Sequence, residues 1–231
     1  MKLPSILSLV GAASVLAVAT TQAQTLAGYS FQAGLTTLTD ISGIEARLSD
    51  PSQKAPGVAY MTDNSLNTGV FNTLYPSGNL AGTFGGSSYT HGTGADILIV
   101  GVEGGGTPLW ENFNVQLLLS DGSVTPAKAF SNANVVNTGT SGLFDMYQTQ
   151  GDYLTGLGYN YCYVPLDIST FNTGGLGVTG IELSSVSAGS ADPDLTYIGV
   201  TDLANATPAP EPATLALAGL GLSALLLRKR K

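Results

Sequence analysis

Short apolar stretches separated by Gly, Asn, Asp and Ser dominate residues 24–207, where no helical apolar period is sustained. Stretches of this length between turn-forming residues are typical of β-strands. Residues 97–102 form a continuous apolar run, which predicts a strand buried on both faces. Residues 113–119 alternate apolar and polar side chains and lead into Asp121-Gly122, a dipeptide that favours a hairpin turn.

The spacing of these stretches indicates the fold class. Seven or more short strands favour an all-β protein, with an antiparallel β-sandwich of jelly-roll form as the preferred arrangement. An adhesin-like repeat rich in Gly, Ser and Asn is the alternative, but the sequence has no internal period. Residues 40–50 are expected to hold one or two helical turns, and Pro165 to end a strand. The further predicted strands are residues 57–61, 79–84, 159–164, 178–186 and 195–200.

The first 23 residues have the features of a secretory signal peptide. Lys2 supplies a positive start, an apolar run follows, and Thr21 and Ala23 place small residues at a cleavage site before Gln24. We therefore predict that cleavage between Ala23 and Gln24 leaves an exported mature protein.

Charge separates the middle of the chain from its ends. Residues 24–209 carry three basic and fifteen acidic residues, a net charge of −12, within a chain whose total is −8. A strongly acidic surface argues against nucleic acid as a partner and favours a soluble, self-repelling domain. A single cysteine excludes an intramolecular disulfide scaffold and a multi-cysteine zinc site.

The C-terminal segment, residues 208–231, contains three parts in order. Pro210, Glu211 and Pro212 form an extended stretch, because proline fixes its own φ and disfavours helix in the residue before it. Residues 213–227 follow without a charge, and as a helix they would reach only about 22 Å of a ~30 Å hydrocarbon core. The basic tail, expected on the cytoplasmic side, consists of Arg228, Lys229, Arg230 and Lys231.

This arrangement resembles the PEP-CTERM sorting signal of Gram-negative bacteria, in which Pro-Glu-Pro, a short apolar transmembrane helix and a basic cluster occur in this order. The resemblance covers residues 208–231. It implies export by the secretion machinery, transient insertion of the helix into the inner membrane, and recognition by an exosortase-like membrane sorting enzyme. It also implies release to the cell surface, the extracellular matrix or the medium, often in species that make exopolysaccharide.

The predicted organisation has three parts: a signal peptide (1–23), a secreted acidic β-sandwich domain (24–207) and a sorting signal (208–231). We expect the mature domain to be structural or to bind polysaccharide in an extracellular matrix or biofilm, and not to be an enzyme. Neither a cofactor nor a metal is predicted, because the acidic turns lack the spacing of a calcium-binding loop.

Aromatic side chains are the candidates for carbohydrate contact, since their flat faces pack on sugar rings and their polar groups remain available for hydrogen bonds. Trp110 lies in a Gly-rich loop, where it is either a stacking platform or an anchor that fills the end of the domain. Tyrosines at a spacing of two fall on one face of a strand. These are Tyr159, Tyr161 and Tyr163.

The alternative function is a secreted carbohydrate-active hydrolase. Glu103 and Glu111 flank the loop of Trp110, and paired carboxylates are the catalytic groups of most glycosidases. His91 is the only histidine, and the sequence lacks a Gly-x-Ser-x-Gly nucleophile motif, so it is expected to be a solvated loop residue. Cys162 has no basic residue near it in sequence and is expected to be a small buried apolar side chain.

Overall fold

The computed structural model of the chain is mostly β-structure. It describes residues 24–48, 51–71, 73–74, 78–85, 87–92, 94–103, 110, 112–147, 153–186 and 193–201. The predicted signal peptide and the predicted C-terminal helix lie outside these residues and stay predictions. Within the described part of the chain, no helix has the length and apolar character needed to span a bilayer.

Two α-helices, two short 3-10 helices (Asn132–Asn134 and Ile168–Thr170) and thirteen strands are defined in these ranges. The α-helices are α1 (Ser42–Arg47) and α2 (Pro51–Tyr60). The first seven strands are β1 (Thr25–Leu26), β2 (Tyr29–Ser30), β3 (Ala33–Gly34), β4 (Thr37–Asp40), β5 (Thr68–Val70), β6 (Asn79–Thr83) and β7 (Ile97–Glu103). The remaining strands are β8 (Phe113–Leu119), β9 (Lys128–Phe130), β10 (Val136–Tyr147), β11 (Tyr153–Leu166), β12 (Val178–Ser185) and β13 (Leu195–Val200).

A five-stranded antiparallel sheet has the order β4-β6-β12-β8-β9. Its strand β8 buries alternate residues from Phe113 to Leu119, as the sequence alternation predicted. The predicted hairpin follows, with Gly122 at φ +86° and with Asp121 accepting a hydrogen bond from the Ser123 amide at 2.9 Å. The return strand pairs with β8 from Lys128 onward.

The second sheet has six strands in the order β3-β13-β5-β10-β11-β7. An additional antiparallel pairing of β13 with β7 closes five of these strands into a ring, so the arrangement is partly barrel-like. Strand β5 runs parallel to β10, which makes the prediction of a purely antiparallel arrangement wrong at this pairing. The jelly-roll form is not confirmed, whereas the all-β class is.

The main core lies between the two sheets, because both supply fully buried side chains to one cluster. The five-stranded sheet contributes Leu117 and Ile181, and the six-stranded sheet contributes Ile99 and Val164. Each buried side chain of this size stabilises the fold by about 1.5–3 kcal/mol. This core fixes which face of β7 and β11 is directed away from the five-stranded sheet.

The opposite face of the six-stranded sheet is also apolar. Leu98 and Val100 of β7 pack there with the hairpin of β1 and β2, and Val102 packs with Phe144 and Met146 of β10. Residues of β7 are therefore buried on both sides, which confirms the prediction for residues 97–102.

Two local predictions are wrong. Residues 57–61 were expected as a strand, but residues through Tyr60 belong to α2, which begins at Pro51, a residue suited to the first turn of a helix. Pro165 was expected to end a strand, yet β11 continues to Leu166, and Pro165 is paired opposite Leu98 within the sheet. Strands 79–84, 178–186 and 195–200 and the helical turn within 40–50 are found at or close to their predicted positions.

Candidate functional site

The predicted tyrosine row lies on one face of β11, directed away from the main core. Tyr161 is paired opposite Val102 and Tyr163 opposite Val100, whose side chains belong to the clusters on this second face. Cys162, between them, belongs to the main core instead. The period of two thus places the three tyrosines together, as the sequence predicted.

Tyr163 is buried, whereas Tyr159 and Tyr161 are half-buried. Tyr163 is only 8% exposed and packs edge-on against Tyr29 of the N-terminal hairpin. Tyr161 is half-buried, contacts the ring of Phe144, and donates its hydroxyl hydrogen to Asn67 Oδ1 at 2.8 Å. Tyr163 is therefore a packing residue, whereas Tyr161 presents a fixed ring at the surface.

Tyr159 lies at the outer end of the row. It is half-buried and makes an edge contact with Phe71, with ring centroids 5.8 Å apart. Burial raises the pKa of its hydroxyl, and the negative charges of Asp194 and Glu103 raise this pKa further. The outer part of the row thus combines aromatic surface with neighbouring carboxylates.

Trp110 is not a surface platform in this structure. Its side chain is 3% exposed, its ring contacts Phe113 edge-on, and its Nε1 donates a hydrogen bond to the Val102 carbonyl at 3.3 Å. Its six-membered ring lies over Gly101, which leaves room because it has no Cβ. Of the two interpretations of Trp110, the anchor that fills the core fits this position.

Of the two carboxylates on which the alternative hydrolase function depends, the structure describes only one. Glu103 is the last residue of β7, half-buried and opposite Asn160 of β11. Glu111 lies outside the described residues. The structure therefore provides no separation between the two carboxylates from which a glycosidase geometry could be argued.

Cys162 has a fully buried side chain in the main core. Burial raises the pKa of its thiol to about 12, and the negative charge of Glu103 acts in the same direction. Because the thiolate is the reactive species, the position confirms the interpretation of Cys162 as a buried apolar residue.

We predict that iodoacetamide at pH 8 alkylates Cys162 at least about 100-fold more slowly in the folded protein than in the unfolded chain, since folding removes both thiolate and access. Mass spectrometry after timed quenching measures both rates. The chain in guanidinium chloride is the matched control, because it contains the same single thiol. Rapid labelling under native conditions would contradict the buried position.

The structure brings together three ionisable side chains that the sequence analysis did not connect with one another. His91 Nδ1 lies 3.1 Å from Asp96 Oδ2 and 3.0 Å from Asp167 Oδ1. Asp96 immediately precedes β7 and Asp167 immediately follows β11, and these ends are adjacent because Ile97 pairs with Leu166. The antiparallel pairing therefore positions both carboxylates beside the histidine.

Asp96 is fully buried, whereas 43% of the His91 side chain and 39% of the Asp167 side chain are exposed. The buried carboxylate accepts hydrogen bonds from the backbone amides of Gly92 and Ile168, each at 2.7 Å. A buried carboxylate needs such partners to offset its lost hydration. These bonds fix its position relative to the imidazole.

Asp167 is oriented by its own turn. Its Oδ1 accepts hydrogen bonds from the Ser169 amide at 2.8 Å and from the Ser169 hydroxyl at 2.6 Å. The Ser169 contacts, and to a lesser degree the charges of His91 and Lys128, hold the pKa of Asp167 below its usual value. Asp167 is consequently an anionic oxygen donor near neutral pH.

A surface cleft of about 290 Å³ lies beside this group and is lined in part by His91, Ser169 and Phe171. Lys128 places its amino group 5.1 Å from the centre of the Phe171 ring. Sequence reasoning weighed His91 as a member of a serine-dependent triad and expected a solvated loop residue instead; 43% of its side chain is exposed, but it lies between two carboxylates. The available signal was an aspartate five residues after a lone histidine, but the partner at position 167 depends on strand pairing.

Comparison with known proteins finds one match. A family model of the PEP-CTERM protein-sorting motif matches residues 208–231. Neither curated proteins nor solved structures give a match to the chain.

The match confirms the resemblance found in the sequence, at the segment that contains Pro210, Glu211 and Pro212. The chain carries a PEP-CTERM protein-sorting motif. This motif supports an exosortase-sorted extracellular or surface protein and implies processing by an exosortase-type membrane enzyme.

Proposed function

We propose that the mature domain is a binding or structural component of the extracellular matrix that contacts polysaccharide through the outer tyrosines of β11, and that it is not an enzyme. The sorting motif supports a site of action at the cell surface or beyond it. The observation that carries the binding proposal is the half-buried pair Tyr159 and Tyr161, held in place on the second face of a paired strand.

Fixed aromatic rings suit a polysaccharide ligand, because little side-chain entropy remains to be lost on binding. The contact of Tyr159 with Phe71 and the hydrogen bond from Tyr161 to Asn67 restrain both rings before any ligand arrives. Asn67 is exposed, and its side-chain amide is fixed next to the rings because it accepts from Tyr161 and donates to the Leu143 carbonyl. Aromatic surface flanked by a few polar groups is the usual composition of a small-molecule site.

The negative charge of the domain indicates which kind of polysaccharide it can bind. The segment 24–209 has a net charge of −12, and Glu103 and Asp194 act on Tyr159. A polyanionic chain would be repelled by this surface, whereas a neutral one would not. A neutral polysaccharide is therefore the proposed ligand.

The test is retention of purified protein in affinity electrophoresis gels that contain a neutral β-glucan or the neutral exopolysaccharide of the producing cells. We expect Tyr159→Ala to weaken retention by about 2- to 12-fold, because an aromatic contact contributes about 0.5–1.5 kcal/mol and each 1.4 kcal/mol is a factor of ten. Tyr161→Phe keeps the ring but removes the hydrogen bond to Asn67, so we expect a smaller loss.

Tyr153→Ala is the matched control. Tyr153 belongs to the same strand and is 42% exposed, but it packs with Tyr60 and Tyr147, and Tyr147 contacts the main core rather than the second face. Retention should be unchanged in this variant. Equal losses for Tyr153→Ala and Tyr159→Ala would contradict a specific site, and no retention of the wild type would leave a structural role alone.

A further inference from the structure

The group of His91, Asp96 and Asp167 has the dimensions of a metal coordination sphere. Ligand atoms about 2.1 Å from a metal ion lie about 3.0 Å apart at adjacent octahedral positions and about 3.4 Å apart in a tetrahedron. His91 Nδ1 lies 3.1 Å from Asp96 Oδ2 and 3.0 Å from Asp167 Oδ1. The three residues offer ligand atoms that all lie within 4.8 Å of one another. The separations of the histidine nitrogen from the two carboxylate oxygens therefore match those of neighbouring ligands around one ion.

We propose that His91 Nδ1, Asp96 Oδ2 and Asp167 Oδ1 bind a divalent transition-metal ion, with Zn²⁺ as the best-suited member of this class. The chemical types of the three ligand atoms indicate which class of metal ion fits the site. An imidazole nitrogen suits Zn²⁺ and its neighbours, whereas Ca²⁺ and Mg²⁺ prefer oxygen ligands throughout. Three protein ligands leave at least one coordination position for water or a ligand from outside.

The burial of Asp96 distinguishes this group from an ordinary exposed acidic patch. Two backbone amides already donate hydrogen bonds to this fully buried carboxylate, and a bound cation would add the positive charge that the amides do not carry. His91 lines the neighbouring cleft, and both His91 and Asp167 are partly exposed, so an ion from solution has a route to the buried ligand.

The ligands are also oriented in advance. The Gly92 and Ile168 amides hold the carboxylate of Asp96, and Ser169 holds that of Asp167. Outer contacts of this kind commonly change metal affinity by about 10–100-fold when they are removed. The site thus has both the ligand atoms and the supporting contacts that fix them.

A bound ion would connect three segments of the fold. It would join the loop that contains His91 to the residue before β7 and to the residue after β11. Since an ion that binds only the folded state stabilises it, Zn²⁺ should raise the unfolding temperature in proportion to the logarithm of its concentration above Kd. This inference does not depend on polysaccharide binding.

The experiment uses the mature protein recovered from cells that export it, stripped of metal by a chelator and dialysed. Isothermal titration with Zn²⁺ alone should give one ion per chain, and metal analysis after dialysis should give the same stoichiometry. We expect His91→Ala to abolish this binding, because it removes a direct ligand, and Asp167→Asn to weaken it at least about tenfold, because it replaces an anionic carboxylate oxygen by a neutral amide oxygen.

Asp121→Asn is the matched control. Asp121 Oδ1 accepts hydrogen bonds from the Ser123 amide at 2.9 Å and the Ser123 hydroxyl at 2.6 Å, which reproduces the local turn of Asp167. The Asp121→Asn variant should bind Zn²⁺ with the affinity of the wild type. Circular dichroism and the unfolding temperature without metal verify that each variant is folded; Asp167→Asn, at a half-exposed position, provides the test if His91→Ala does not fold.

Absence of stoichiometric Zn²⁺ binding by the wild type would overturn the proposal and leave His91 as a hydrogen-bonded bridge between two carboxylates. Equal affinity in His91→Ala and wild type would also overturn it, since exposed carboxylates elsewhere would then hold the ion. A tenfold or larger loss in Asp167→Asn but not in Asp121→Asn would support it.

Discussion

A chain that lacks Arg228–Lys231 should be exported without being retained in the membrane or processed at its sorting motif. As a helix, the apolar residues 213–227 would fall short of a ~30 Å hydrocarbon core, so we expect the basic residues that follow them to be needed to hold the segment in place. Removing four positive charges would also remove the bias by which we expect the tail to stay in the cytoplasm. We expect unprocessed precursor to reach the medium, which intact mass spectrometry of the recovered protein would detect.

The control for this deletion keeps the charge and changes the residue type. Arg228→Lys with Arg230→Lys should mature as the wild type does, because a positive charge rather than a guanidinium group is required at this boundary. Unchanged maturation of the deletion variant would count against exosortase processing. So would a stable surface form that still contains Lys231.

Strand positions were predictable wherever the burial of a strand follows from its own residues. Residues 113–119 alternate because one face of β8 is buried, and residues 97–102 do not alternate because both faces of β7 are buried. These patterns are local consequences of packing. Long strand β10 escaped prediction because its exposed Asn, Thr, Gly and Ser residues carry no apolar signal.

Sheet topology was less predictable because it depends on contacts distant in sequence. Nothing in residues 195–200 reveals that β13 pairs with β7 and closes the ring. Residues 57–61 show how a short apolar run can belong to a helix, where Gly57 lies against Leu48 and Val70 in the core. Local pattern could not distinguish the two outcomes over five residues.

The candidate site also contains features that the sequence predicted and features that depend on contacts distant in sequence. A period of two placed the tyrosines of β11 on one face, but it could not show that Tyr163 is covered by the N-terminal hairpin while Tyr159 is partly open. The burial of Trp110 depends on Gly101, and the position of Asp167 beside His91 depends on the register of β7 and β11. Distances across paired strands are a product of register, which single-sequence patterns do not contain.

Gly101→Ala should destabilise the protein more than any other small-residue exchange proposed here. A Cβ at this position would lie against the Asp194 carbonyl oxygen and 2.5 Å from Trp110 Cζ2. Neither neighbour can easily move, because the same carbonyl accepts the Val102 amide at 2.9 Å and the indole is enclosed in the core. Overpacking of this kind costs about 3 kcal/mol, which lowers the unfolding temperature of a domain of this size by about 6–12 °C.

Gly158→Ala provides the comparison, because a Cβ added at Gly158 in β11 meets no atom within 4 Å and the backbone there is not in the left-handed region. Its stability should remain within about 1 kcal/mol of the wild type. Thermal unfolding followed by near-ultraviolet circular dichroism reports on both variants and on the environment of Trp110, the single tryptophan. If Gly101→Ala unfolds at the wild-type temperature, Trp110 does not pack over β7, and it returns as a candidate for surface contact with sugars.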